Sequence, residues 1–329
     1  MITVVLLACA VAVEGCGTTQ ATSSIPGLRT VADLPLPGEP SRLDYQSLDS
    51  PHHRLYISHL GAGSVIVVDT QSRTVVGDVG GVSGAHGVIA VPQRNRIYAT
   101  ATDDHELATI DPVSLTVIAR VRAGDYPDGL AYDAQDDRIF VSDEHGGNDI
   151  VIDARSNQLL RSIDLGGEVG NTQYNAARHE VVVAAQGRDE LDIIDPVSLH
   201  VVRRERTAGC SGPHGVLVRP DRNVAYVACE ANAHLVSVDL ATGAVSEPQT
   251  VGETPDVLAY DPKLQRLYAA SESGTLSVFD VIGASPRKVA EGFAGPKAHS
   301  VAVDPETHIV YLPLEDLDGR PVLREMAPS

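Results

Sequence analysis

The sequence predicts an all-β fold, a seven-bladed β-propeller of four-stranded blades whose ring is closed by an N-terminal strand completing the last blade. Three observations carry this. An Asp closing an apolar run recurs at Asp69, Asp111, Asp153, Asp195, Asp239 and Asp280, at intervals of 42, 42, 42, 44 and 41 residues. An aromatic keeps the same beat at Tyr56, Tyr98, Phe140, Tyr226, Tyr268 and Tyr311, with Val182 in the remaining slot. A fixed period of this size built from short strands is the signature of propeller blades. The third observation is at the ends. The last unit supplies three strands and stops at a third run, Pro321–Glu325, whereas Leu28–Gly38 precedes the first unit and has the form of a fourth strand. Pairing the two ends removes the exposed edges that invite aggregation.

Each unit reads as four strands, A to D. Seven A strands are expected, at Leu43, Gly87, Gly129, Thr172, Gly215, Val257 and Ser300. Strand B carries the aromatic and strand C ends in the Asp. Strand D follows, as in Leu115–Arg120 and Asn157–Ser162. Asp111-Pro112-Val113-Ser114 and Asp195-Pro196-Val197-Ser198 place Asp at the first and Pro at the second position of a type I turn, which accounts for these carboxylates without catalysis.

The formal net charge is −19 and basic residues form no cluster. Such a surface repels phosphate backbones, so nucleic acid is not an expected partner. Ile2–Val13 is an apolar run too short to span a bilayer and has the form of a signal-peptide core. The following Val13-Glu14-Gly15-Cys16 resembles a bacterial lipobox, which implies lipidation at Cys16; an ordinary secretory signal is the alternative. The expected organisation is a signal over 1–16, a flexible tether over 17–27 and one propeller domain over 28–329. The expected location is the periplasm or cell surface, with the membrane reached through the lipid alone and the protein a monomer.

Arg-x-Tyr-Val/Ala-x, a loop, then Val-x-Val-x-Asp on this beat resembles the YVTN-repeat, YncE-like family of exported seven-bladed propellers, from Leu28 to the C-terminus. The resemblance implies the fold and an extracytoplasmic setting. It implies no single function, because the family mixes binding, surface and uncharacterised proteins.

Strand A lies innermost in a propeller, so its first residue should line the channel mouth. Those residues are Arg42, His86, Asp128, Gly170, His214, Asp256 and His299, and together with Tyr126 they form the candidate ligand-binding ring. A second ring comes from the loops between strands B and C. Glu144, Glu230, Glu272 and Glu315 each fall 16 residues after the ring residue of their own blade, with Gln186 in the same place in blade 4. His59, His105, His145 and His234 lie nearby in these loops. Imidazoles and carboxylates converging on one mouth suit a divalent metal, the candidate cofactor, with His214, Asp256 and His299 as its ligands. They also suit general acid–base work, with His214, His299, Glu230 and Glu272 as catalytic candidates. Streptogramin lyases are similar seven-bladed propellers that use His, Glu and a divalent metal at this face. Polar lining of a wet channel is the plainer account.

Cys210 precedes strand A of blade 5 and Cys229 follows its strand B. In an oxidising compartment they are expected to form a disulfide; a metal site with His214 and His234 is the alternative. The aromatic beat and a second set in strand A (Tyr45, Tyr132, Tyr174, Tyr260) are expected in the core, leaving Tyr126, Phe279 and Phe293. The function expected first is an extracytoplasmic binding or scaffold protein taking a small molecule or an envelope protein at the channel mouth. The alternative is a metal-dependent lyase or lactonase-like hydrolase, and a structural envelope protein is a third.

Overall fold

The computed structural model describes residues 25–283 and 285–329. Seven four-stranded antiparallel sheets form the blades of a propeller, with only short 3-10 turns between strands among the described residues. Blade 2 is typical: Ala85–Val91 innermost, then Arg96–Ala101, Glu106–Asp111 and Thr116–Arg122 outermost. The last blade runs Ala302–Val303, Val310–Leu314 and Val322–Pro328, with Leu28–Pro35 antiparallel to Val322–Pro328 as its outer strand. Arg324 bridges this pair, donating from Nε and Nη2 to the two Asp33 oxygens at 2.8 and 2.7 Å. No helix among the described residues is long and apolar enough to cross a membrane.

The recurring Asp makes the turn expected of it. Asp111 Oδ1 accepts from Val113 N and Ser114 N, both at 2.9 Å, and Asp69, Asp153, Asp195, Asp239 and Asp280 repeat the pattern with their own following amides. Backbone N–H groups favour the charged carboxylate, so these side chains titrate below the usual range.

The apolar residues of one blade alone bury little. Seven hydrophobic clusters lie between neighbouring sheets, one per junction. Leu43, Leu55, Ile57, Ile66 and Val68 of blade 1 meet Ala302, Tyr311 and Leu323 of blade 7, so this junction is packed like the others. Phe279 is among them, fully buried between blades 5 and 6.

Four differences from the sequence reading follow from local packing. The first inner strand spans Gln46–Asp49, later than Leu43, and the last spans only Ala302–Val303. Blade 5 ends in a two-residue outer strand, Gln249–Thr250, because Gly243 and Pro248 divert the chain. Tyr132, Tyr174 and Tyr260 are half-buried at the edges of the inter-blade clusters, with polar contacts as well, Tyr132 donating to Asp137 at 2.8 Å and Tyr260 lying under Arg219, whereas Tyr45 lines the channel cavity. Ile25 is 2% exposed and packs with the blade 6–7 cluster, so the packed chain begins inside the expected tether. The expected signal and Cys16 lie outside the described residues.

Cys210 and Cys229 are bonded, with Cα atoms 5.2 Å apart. The bond leaves no thiolates for the alternative metal site. A bridge of this sequence separation contributes about 3 kcal/mol by restricting the unfolded chain. Peptide mapping without reductant is expected to recover the linked pair, and two free thiols would refute it.

Candidate functional site

The inner strands open with a bulge. In blades 2, 3, 5 and 6 the ladder to the second strand skips between the first residue and the fourth, as between Pro127 and Leu130. The skipped pair turns towards the axis, so the ring residue faces the channel and its neighbour meets the next blade. Glycine follows the ring residue in blades 2, 3 and 5 for this reason. A Cβ on Gly87 would collide with the Asp128 carbonyl, and one on Gly215 with that of Asp256. Inter-blade hydrogen bonds lock the mouth, with Thr100 donating to Asp128 O at 2.9 Å and Asn171 N to His214 O at 2.9 Å.

The result is a cavity of about 330 Å³. Arg42, His86, Tyr126, Asp128, His214 and Asp256 all line it, as do Glu144, Glu230 and Glu272 from the second ring. His299 sits behind the wall, 1% exposed. His145 lines it too, as expected of its loop, and the mouth also takes in Asp44, Tyr45 and Thr254, which the sequence reading did not place there. Asp44 and Tyr45 precede the first regular strand, so the period gave them no place at the mouth. His59, His105 and His234 bond locally instead, to Ser41 Oγ at 2.9 Å, Asp125 O at 2.6 Å and Gly209 O at 3.1 Å.

The charges along one wall are paired. Asp256 lies between two imidazoles, with His299 Nδ1 2.8 Å from Oδ2 and His214 Nε2 3.3 Å from Oδ1 in a looser ion-pair contact. The other nitrogen of His299 meets the Leu43 carbonyl at 2.8 Å. Both partners only accept, so His299 donates from both nitrogens and is an imidazolium. His214 Nδ1 lies 2.9 Å from Gln186 Oε1, and that amide is oriented by its Nε2 donating to Glu230 at 2.7 Å. His214 therefore donates from Nδ1 to Gln186 and turns Nε2 to Asp256 in the looser ion-pair contact. Burial opposes these charges, but Asp256 overrides it and raises His214 to about 10 and His299 to about 9. Burial likewise opposes charge on Asp256, and the two imidazolium partners hold it far below the usual carboxylate range. Arg42 completes this wall, donating to Asp44 at 2.8 Å and Glu272 at 2.6 Å.

His214, Asp256 and His299 are thus adjacent, but in ion pairs with one another. A metal here would have to displace the imidazole protons, and Asp44, Asp256 and His299, whose ligand atoms lie within 4.8 Å of one another, are the group that could take one. Glu230 and Glu272 are occupied by Gln186 and by Arg42 with Lys297.

The other wall is different. Asp128 is 3% exposed and receives a long 3.4 Å contact from the Tyr45 hydroxyl. Burial, then the charge of Asp44, pushes it up to about 7. Glu144 is raised to about 7 by burial and then by Asp128. Between them Tyr126 stacks at 4.1 Å from the His145 ring and tilts against His86 at 5.3 Å. His86 is oriented by Thr102 Oγ1, 2.8 Å from Nδ1.

Fold and site define a seven-bladed propeller whose channel mouth holds a wall of paired charges facing a wall of buried carboxyls raised above their usual range. No protein-family model matches the chain. Uncharacterized proteins YncE of Salmonella typhi and Salmonella typhimurium are 27% and 26% identical to it over 190 residues, 54% of this chain and 52% of theirs. The chain thus spans about half the length of the curated relatives it matches. Kuenenia stuttgartiensis Hydrazine Synthase superposes over 97% of this chain and 99% of its own with a TM-score of 0.75 at 17% identity, a likeness of fold.

Proposed function

We propose that this protein binds a small organic cation at the channel mouth and is an exported propeller tethered through Cys16. One observation supports the ligand class above others. Asp128 and Glu144 face one cavity with charges that repel, and Arg42, His214 and His299 are already committed to Asp44, Glu272 and Asp256. An ammonium group between the two carboxyls relieves that repulsion, and the Tyr126 face beside them suits its carbon substituents. The chain's export is read from the apolar run before Cys16.

Binding must displace protons. Carboxyls with pKa about 7 are mostly neutral below it, so affinity for a cation rises with pH through 7. Calorimetric titration with primary alkylamines and choline is expected to show proton release. The affinity should fall about 10-fold between about pH 8 and pH 6 for each carboxyl that must ionise. Asp128→Asn and Glu144→Gln should remove both the affinity and its pH dependence. Equal binding by these variants, or no amine bound at either pH, would refute the reading.

A further inference from the structure

At the far end of the inner strands, away from the channel mouth, the blades carry a second repeated position. The last residue of the inner strand is Asp49, Val91, Asp133, Asn175, Arg219 or Asp261 in blades 1 to 6, and in blade 7 Asp304 follows directly after Ala302–Val303. Four residues later comes a residue with positive φ, including His53, Asn95, Asp137, His179, Asn223, Gln265 and His308. This left-handed seat aims its side chain at the preceding blade. Blades 6 and 7 show the ordinary outcome: His308 Nδ1 meets Asp261 Oδ2 at 2.6 Å, a direct hydrogen bond.

Blades 3 and 4 hold the same pair, Asp133 and His179, in another geometry. Asp133 spends Oδ1 on its turn, accepting from Gln135 N at 2.9 Å and Asp136 N at 3.2 Å, just as Asp261 does with Lys263 and Leu264. Its Oδ2 points at His179 but stands off at 3.6 Å. Asp136, where blade 6 has Leu264, brings a second carboxylate to 3.4 Å from the same Nε2. Asp133 is fully buried, and its Oδ2, Asp136 Oδ2 and His179 Nε2 are buried atoms without hydrogen-bond partners. All three ligand atoms lie within 4.8 Å of one another.

We propose that Asp133, Asp136 and His179 bind a divalent transition metal ion of the zinc class, clamping blade 3 to blade 4. Ligand atoms about 2.1 Å from a tetrahedral ion sit about 3.4 Å apart, the spacing seen here and too wide for the hydrogen bond of the sister pair. Two carboxylates and one imidazole form a donor set for such an ion, with water completing the shell. The imidazole also has an outer partner. His179 Nδ1 lies 3.1 Å from the Gln135 side-chain nitrogen, which places the ring proton on Nε2. Metal binding moves that proton to Nδ1 and requires the Gln135 amide to turn over and present its oxygen. The nearby cation is Arg138, 3.7 Å from Asp136, whose guanidinium also donates to the Pro196 carbonyl.

Metal-stripped full-length protein is titrated with Zn²⁺ and with Co²⁺, the latter read by its visible absorption. Saturation at about one equivalent is expected, with a tetrahedral-type cobalt spectrum and a higher melting temperature. Asp136→Leu copies the residue that blade 6 carries and leaves the Asp133 turn intact. This variant and His179→Gln should weaken binding by about 10-fold or more and abolish the metal-dependent melting shift. His214→Ala, at the channel mouth, should bind as the parent does. The clamp is refuted if no saturable binding occurs. It is refuted equally if Asp136→Leu melts with the parent in the absence of metal and still binds it unchanged, or if His214→Ala is the variant that loses the metal.

Discussion

Replacing Asp256 with Asn is expected to destabilise the protein by about 3–5 kcal/mol, because it leaves two buried imidazolium groups without their shared counter-charge. His214 and His299 both depend on this carboxylate, at 3.3 and 2.8 Å. The pH profile should change with the midpoint. Both imidazoles are raised above their unfolded value of 6.5, to about 10 and about 9. Their contribution is complete below 6.5 and is lost as pH rises through 9 to 10, since the unfolded chain gives up these protons first. Asp256 is depressed, so its contribution is complete above 3.8 and is lost in acid. Asp128 and Glu144, raised to about 7, start the decline earlier, because each costs stability progressively between its unfolded value and 7 and adds no slope above it. The parent should therefore be most stable on the acid side of neutrality and weaken towards pH 10. Asp256→Asn should lose the part of that slope above neutrality. Parallel stability profiles for the two proteins, measured by denaturant titration, would sink the ion-pair account.

Removing Leu28–Pro35 should have the larger effect and abolish cooperative folding. The deletion leaves the outer edge of Val322–Pro328 unpaired along its length, with its pairing to Val310–Leu314 the only one left, and it uncovers Arg324, whose side chain would keep only its bond to the Ala294 carbonyl. It also takes away the side chains of Leu28 and Leu34, which cover the clusters on either side of blade 7. The milder Asp33→Ala isolates one part of this, the bidentate contact, and is expected to cost about 1–3 kcal/mol. A deletion variant that melts at the parent's temperature would show that the outer strand does not hold the ring.

The periodic parts of this molecule were legible because each beat does a local job. The Asp at the end of the third strand in blades 1 to 6 makes its turn with its own neighbours, so it needs no distant partner to be recognised. The ring residues were legible for the same reason, since their position in the repeat places them at the axis. What they do there was not. Whether His299 faces the cavity or stands behind it depends on Leu43 offering a carbonyl from 256 residues away. Asp44 and Tyr45 were missed because the chain there departs from regular pairing before the strand begins at Gln46. The group of Asp133, Asp136 and His179 joins two units, and a comparison of units one at a time shows only an ordinary turn residue in each.

The placement of the apolar clusters bears on how motion is distributed. Each cluster joins two sheets, and no sheet keeps a cluster to itself. A linear array of repeats frays from its two terminal units, so protection against solvent falls off along the chain. Here every unit has two packed neighbours, and the gradient runs from the axis to the rim. Inner-strand amides at Ala131 and Leu217 should exchange with solvent only in global opening, while outer-strand amides such as those of Ile118 and Val202, whose side chains are 48% and 56% exposed, should exchange by local fluctuation. The same residue type would then carry different exchange rates according to its radius, whichever of the seven blades it belongs to.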